Sequence, residues 1–178
     1  MTDRTKRFEA AALPHLDAAY NLARWLLRDD QNARDVVQEA YLRAFRFFDG
    51  FCGDDARPWL LRIVRNASYS WLHDSGRHGD SVEFDEERHS QEQVSDVAQA
   101  RDNPEQLLLQ KIETGRVDAA IEKLPLAFRE VLILREMDEM PYAEIAQVLA
   151  IPVGTVMSRL ARARALLRAA LSAQNEER

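Results

Sequence analysis

Cysteine is almost missing from this sequence. Cys52 stands alone among 178 residues, which excludes an internal disulfide framework and any zinc finger built on several cysteines. His73, His78 and His89 fall at irregular spacing, and neither they nor Cys52 form a structural-site interval, so no metal and no cofactor is expected. Glycine and proline number six each, too few for a loop-rich sandwich, which makes helix the default expectation. No run approaches the ~18 apolar residues that cross a bilayer, so no direct membrane contact is expected. Met1 to Arg7 is charged with no apolar run behind it, a pattern that predicts no secretory leader and a cytoplasmic product. There is no Ser/His/Asp grouping and no phosphate-binding GxxxxGK loop, and Asp85-Glu86-Glu87 reads as a charge run rather than a catalytic dyad. The chain is therefore expected to hold no catalytic residues and to be no enzyme by itself.

What is present is a charge placed unevenly. The net charge of -6 argues at first against a nucleic-acid partner. Yet nine acidic residues against two basic lie between Asp80 and Gln106, which leaves the rest of the chain at +1. From Ile145 to Asn175 there is no Asp or Glu, while Arg159, Arg162, Arg164 and Arg168 all fall there. An acidic stretch hides a basic C-terminal segment in the average.

Hydrophobic residues at 46% and charged residues at 30% fit a folded globular chain. Leu16, Ala19, Tyr20, Ala23, Leu26 and Leu27 follow the period of an amphipathic helix. Asp29-Asp30 offers N-cap oxygens for a second, whose stripe is Ala33, Val36, Val37, Ala40, Tyr41, Ala44, Phe45 and Phe48. Turn residues from Asp49 to Asp55 break the period, and a third helix comes next with Leu60, Ile63, Val64, Ala67 and Trp71 inward. Three helices thus make an N-terminal bundle over residues 1–76. Periodicity is lost over 77–103, which reads as a flexible acidic linker that leaves the spacing of its flanks unfixed.

Order resumes at Asn103-Pro104, and Pro125, Pro141 and Pro152 punctuate the C-terminal part of the chain, each suited to a helix start. The implied helices span about 104–123, 125–137, 141–149 and 152–171. The expected fold is all-α, with two small helical domains, 1–76 and 104–178, joined by the linker 77–103. Tyr142, Ile145, Ala146 and Leu149 form one stripe, and Val153, Val156, Leu160, Ala163 and Leu167 the next, which is a helix-turn-helix arrangement. On its second helix Thr155, Ser158, Arg159 and Arg162 share the face away from the leucines. Arginine reads guanine edges and Ser/Thr bond bases or phosphates, so this face suits a major groove. Arg164 and Arg168 lie to the side, better placed for phosphates.

Leu124-Pro125, Arg129-Glu130-Val131-Leu132, Tyr142-Ala143-Glu144-Ile145-Ala146 and the string Gly154 to Arg164 (GTVMSRLARAR) together resemble region 4 of bacterial sigma factors. The spacing is more narrowly similar to that of the extracytoplasmic-function (ECF) subfamily of sigma-70. The resemblance implies that the helix after Pro152 reads the −35 promoter element and that this half docks on the β flap of RNA polymerase. Ala150 departs from the glycine usual in that turn; where a left-handed backbone is needed, alanine costs about 1 kcal/mol there.

Asn32 to Phe45 (NARDVVQEAYLRAF) is similar to regions 2.1–2.2 of the family, where the helix docks on the clamp helices of the polymerase β′ subunit. Asp35, Gln38 and Glu39 fall at i, i+3 and i+4 and form one polar patch opposite the aromatic stripe. Arg34 stands where relatives commonly carry an acid. Trp59 to Trp71 (WLLRIVRNASYSW) resembles regions 2.3–2.4. Trp59, Arg62, Arg65, Asn66 and Tyr69 interleave cations and rings, which suits single-stranded DNA through phosphate attraction and base stacking. The loop from Phe51 to Arg57 precedes them, positioned to close over an extruded base. By resemblance this loop and helix recognise and melt the −10 element.

The expected function is that of an ECF sigma factor, with core RNA polymerase and promoter DNA as partners and an anti-sigma factor implied by resemblance. A stand-alone helix-turn-helix regulator with an N-terminal sensor or dimerisation bundle is the competing reading, and a protein that only sequesters a partner is a third. The polar patch at 35, 38 and 39 together with the basic-aromatic helix favours the first, because a regulator does not need both.

Overall fold

The computed structural model describes residues 2–76 and 104–176, and every regular element among them is helical. The acidic linker 77–103 lies outside the described residues. The expected all-α fold with its helix-turn-helix is what the structure has.

The N-terminal half holds four helices, where the apolar pattern marks three. The additional one, α1 (Asp3–Ala12), starts at Thr2, whose side chain accepts from the Thr5 amide. It buries only Phe8 and Ala12, too few positions to show as a stripe. Tertiary contacts hold it instead: Phe8 meets Phe45 and Phe48 edge-on at 5.2 and 5.3 Å, and Arg4 Nη2 donates to the Phe45 carbonyl at 2.6 Å.

A 3-10 turn (Leu13–His15) leads into α2 (Leu16–Leu27), which ends at Arg28 in a left-handed conformation. Asp29 then caps α3 (Asp30–Phe47), its carboxylate accepting from the Asn32 amide at 2.8 Å. After a second 3-10 turn (Phe48–Gly50), Asp55 caps α4 (Ala56–Asp74). Leu22, Leu26, Leu60 and Leu61 are fully buried between these helices. Each such side chain stabilises the fold by about 1.5–3 kcal/mol relative to exposure.

The C-terminal half runs α5 (Pro104–Glu122), α6 (Leu126–Leu132), α7 (Tyr142–Leu149) and α8 (Val153–Glu176). Pro125, Pro141 and Pro152 stand just before their helices, accepting from the amides of Arg129, Ile145 and Val156 at 2.9, 3.1 and 3.1 Å. Proline serves there because its carbonyl is needed and its missing N–H is not. The continuous helix expected over 125–137 instead passes from α6 into one π turn (Ile133–Met137), with the Asp138 amide reaching back to the Ile133 carbonyl.

The halves are docked, so the unfixed spacing expected of them does not describe this structure. α4 packs on α7 and α2 on α6, and one apolar cluster runs from Leu22 and Val64 to Val131 and Ile145. Arg129, nearly buried, ties the joint. Its guanidinium donates to the carbonyls of Glu122 (2.7 Å) and Leu124 (2.8 Å) at the end of α5, and across the joint to that of Trp25 in α2 (3.2 Å). One side chain satisfies orphan carbonyls at two helix ends.

Candidate nucleic-acid and polymerase interfaces

Three surfaces carry the residues singled out in the sequence. On α3, Asp35, Gln38 and Glu39 are exposed on one face. Asp35 accepts from Gln31 Nε2 at 3.1 Å and Glu39 pairs with Arg43 at 2.7 Å, both contacts within the helix and open to solvent. Beside them an open groove of about 680 Å³ runs between α1, α2 and α3, lined by Phe8, Leu16, Tyr20, Val37, Tyr41 and Phe45. Arg34 and Gln38 stand among its lining residues. The Tyr41 hydroxyl bonds the Ala12 carbonyl at 2.9 Å, and burial pushes its pKa up to about 12, so it stays a neutral donor at physiological pH.

On α4 the five candidates do not form one open surface. Arg62 and Asn66 are exposed. Trp59 is half-buried beneath the preceding loop, 4.9 Å from the Phe51 ring and 6.4 Å from that of Phe48. Gly53 permits that loop shape: a Cβ there would lie 2.9 Å from the Phe51 ring. Trp71 is also half-buried and packs on the main core. Arg65 and Tyr69 face the C-terminal half.

Arg65 stacks over the Tyr69 ring at 4.0 Å and grips Glu130 of α6 with two nitrogens, Nε to Oε2 at 3.0 Å and Nη2 to Oε1 at 3.3 Å. Glu130 has no solvent exposure. Complete burial pushes its carboxyl up, and Arg65 pulls it back down by charge and hydrogen bond, helped by Tyr69 and Arg159. Burial alone would lower the Arg65 pKa; the Glu130 charge raises it overall. Arg65 and Tyr69 of one candidate site thus bond one carboxylate, on which Arg159 of the other acts by charge.

A second cluster flanks the first. Arg57 Nη2 donates to the Asp138 carbonyl at 2.6 Å, and its Nε lies 3.9 Å from Glu144 Oε2 of α7. Burial pushes the Asp138 carboxyl up to about 6, against a hydrogen bond from Asn21 and the charge of Arg57. Arg57 Nε and Asp138 Oδ2 are buried with no hydrogen-bond partner among the described residues.

On α8, Val156, Leu160 and Ala163 are buried, which turns Ser158, Arg162 and Arg168 to solvent. Thr155 and Arg159 are half-buried beside them, and Ser158 Oγ donates to the Thr155 carbonyl at 3.1 Å. Arg164 pairs instead with Glu136, Nε to Oε1 at 2.9 Å. The turn before α8 places Ala150 at φ 54, ψ 46, so alanine does occupy a left-handed position.

Glu130, Asp138 and Glu144, the acids that face α4, are what sequence reasoning missed. Only Glu130 carries a signal: it sits within an apolar run from Phe128 to Leu134 that is otherwise closed only by Arg129.

Comparison with known proteins places two families of match on these two halves. The model described as Sigma-70 region 2 matches residues 12–78, and that described as Sigma-70, region 4 matches residues 114–167. The ECF RNA polymerase sigma-E factor of Escherichia coli (strain K12) is 40% identical over 131 residues, 73% of this chain and 69% of the relative. The RNA polymerase sigma-H factor of Pseudomonas aeruginosa is 33% identical over 174 residues, 93% of this chain and 86% of the relative. Among solved structures, the sigma factor RpoE of Bartonella quintana, in complex with the anti-sigma factor NepR, aligns with TM-score 0.68 and 27% identity over 94% of this chain and 98% of that one. CnrH, in complex with the cytosolic domain of CnrY, aligns with TM-score 0.66 and 26% identity over 95% and 90%.

Proposed function

The chain belongs to the ECF subfamily of the sigma-70 factors, and from that membership we propose how its surfaces divide the work of promoter recognition. As an RNA polymerase sigma factor it directs transcription initiation; the family is one of initiation factors rather than enzymes. Residues 1–76 act as the region 2 unit and 104–178 as the region 4 unit, the reading supported by separate family matches to the two halves.

The α3 patch of Asp35, Gln38 and Glu39 docks on the β′ clamp helices of core polymerase. Its exposure and its acceptor chemistry support that role, since carboxylates and amides suit an arginine-rich partner. The α4 face with Trp59, Arg62, Arg65, Asn66 and Tyr69 takes the −10 strand, and α8 takes the −35 duplex through Thr155, Ser158, Arg159 and Arg162. Arg164 and Arg168 serve phosphates, Arg164 after leaving Glu136. The C-terminal half also meets the β flap. The observation that carries the −35 assignment is the acid-free run of α8, whose exposed Arg162 and Arg168 lie on the second helix of a helix-turn-helix.

An anti-sigma factor restrains the protein, a reading supported by a structural relative solved with such a partner. The protein works in the cytoplasm, where its polymerase is. In the described residues no helix is long and apolar enough to cross a membrane. Transcription with core polymerase on a library of promoter fragments tests the whole reading. Selective initiation that weakens and relaxes at one base position with Arg162→Ala, and that falls with charge reversal at Asp35, supports it; initiation indifferent to both overturns the site assignment.

A further inference from the structure

α8 begins with two large apolar side chains that the fold leaves open. Val153 is 42% and Met157 53% exposed, one turn apart on the helix, whereas Val156, Leu160 and Ala163 of the same helix are buried. We infer that Met157, with Val153 beside it, reads thymine methyl groups in the −35 duplex, so that apolar contact carries part of the promoter selectivity. The inference rests on the assignment of α8 to that duplex.

The helical period sorts the open side of α8 into two edges. Counted at about 100° per residue from the buried Val156, Val153 and Met157 fall on one flank, Thr155 and Arg162 on the other, and Ser158 between them. A Cβ at Gly154 would meet nothing within 4 Å, and the exposed Ala161 adds only a methyl, so a base edge can come close to the helix there. When the second helix of a helix-turn-helix enters a major groove, its N-terminal residues are the ones that meet base edges. Val153 and Met157 lie in the first two turns of α8.

The chemistry of the groove says what such side chains can recognise. Base edges there present donors and acceptors, and the thymine C5-methyl is the apolar group among them. Arg162 can bond a guanine edge and gains nothing from a methyl. The unbranched thioether of methionine adapts its shape and packs on one. Ser158 spends its hydroxyl proton on the Thr155 carbonyl at 3.1 Å, so it brings an acceptor rather than a donor to the middle of the face. The flank of Met157 continues to the exposed Arg168, and no acid lies between Ile145 and Asn175, a field that favours phosphates around the apolar pair. Burying one methyl in this way is worth about fourfold in affinity.

Core polymerase, the full-length protein and a promoter fragment selected by initiation from a fragment library provide the test. Each thymine of the −35 element, on either strand, is replaced in turn by deoxyuridine, which removes the C5-methyl and keeps the pairing. The native chain is expected to lose about fourfold in promoter affinity at one or two of these positions. Met157→Ala is expected to lose a similar factor on the thymine fragment and to be indifferent to deoxyuridine at those positions; the side chain is exposed, so the fold is kept. Arg162→Ala is expected to keep the deoxyuridine response while losing selectivity at a different base. A native chain indifferent to deoxyuridine at every thymine overturns the inference, as does a Met157→Ala chain that still responds in full. A Met157→Ala chain that binds core polymerase less tightly, with an unchanged deoxyuridine response, gives the side chain to the polymerase instead. A −35 duplex that can be replaced wholesale without effect places the failure in the assignment of α8 rather than in the methyl contact.

Discussion

Arg65 and Glu130 stand 65 positions apart in sequence and meet through two hydrogen bonds, at 3.0 and 3.3 Å, where the two halves join. The carboxylate is wholly buried while the arginine keeps about a fifth of its side chain exposed. The pair is therefore lopsided. Glu130 depends on Arg65 more than Arg65 depends on it, because an exposed edge lets water help the guanidinium.

Removing the arginine leaves a buried carboxylate short of its main counter-charge. Arg65→Ala is expected to destabilise the chain by about 2–3 kcal/mol in urea unfolding, below the about 3–5 kcal/mol of a fully buried pair because of that exposure. Adding Glu130→Gln to it should recover part of the loss, since the uncompensated charge is then gone. A double variant worse than the sum of the singles would count against the pairing.

Asp138 couples the joint to pH. Its folded pKa of about 6 lies above the ordinary 3.8, so the fold binds this proton more tightly than the unfolded chain does. Its contribution is therefore fully present below about pH 4 and is lost as pH rises through about 6. Asn21 from α2 and Arg57 from α4 are the groups that oppose the shift. Asp138→Asn should gain melting temperature over the native chain progressively from pH 4.5 to 7. A constant difference across that range would exclude Asp138 as the source.

Ala150 holds a left-handed backbone at the turn before α8. Ala150→Gly relieves about 1–2 kcal/mol of steric cost and returns part of it as chain entropy, for a net gain of about 0.5–1 kcal/mol. Differential scanning calorimetry should show a rise of about 1–4 °C. Ala150→Val should fall, because a branched side chain suits that conformation least.

Charge reversal at Asp35 and Glu39 should separate folding from assembly. Both side chains are exposed and their partners lie on their own helix, so unfolding free energy should move by no more than about 0.5 kcal/mol. Co-elution with core polymerase should weaken strongly. Retention of full affinity for core would remove both residues from the docking surface.

Arg162 and Arg168 are both exposed on α8 and are expected to differ in kind. In the polymerase-bound state, Arg162→Ala should cost about 1–3 kcal/mol at matched promoters and relax selectivity at one base position. Arg168→Ala should weaken binding alike at all sequences and lower the salt slope by about one. Equal loss of selectivity in both variants would overturn the division between base reading and phosphate contact.

Much of this architecture is local and so is written in neighbouring residues. The stripes of α2, α3, α4, α7 and α8 repeat at helical spacing, Asp29 caps α3, and three prolines mark three helix starts. The one-sided charge of α8 and the left-handed cost at Ala150 were equally legible, because each depends on one turn of chain. α1 was not: its Phe8 and Arg4 are held by residues more than 35 positions away, and ten residues with two buried positions show no period.

The joint between the halves belongs to tertiary structure alone. In sequence Arg65 and Tyr69 read as part of a free strand-binding surface, Arg57 as the end of the loop before it, and Glu130, Asp138 and Glu144 as ordinary acids. Helical periodicity says which residues leave the core of their own bundle; it carries no information about what then covers them. A salt bridge between positions 65 and 130 depends on how two preformed surfaces fit, and the desolvation of Glu130 exists only once they have met.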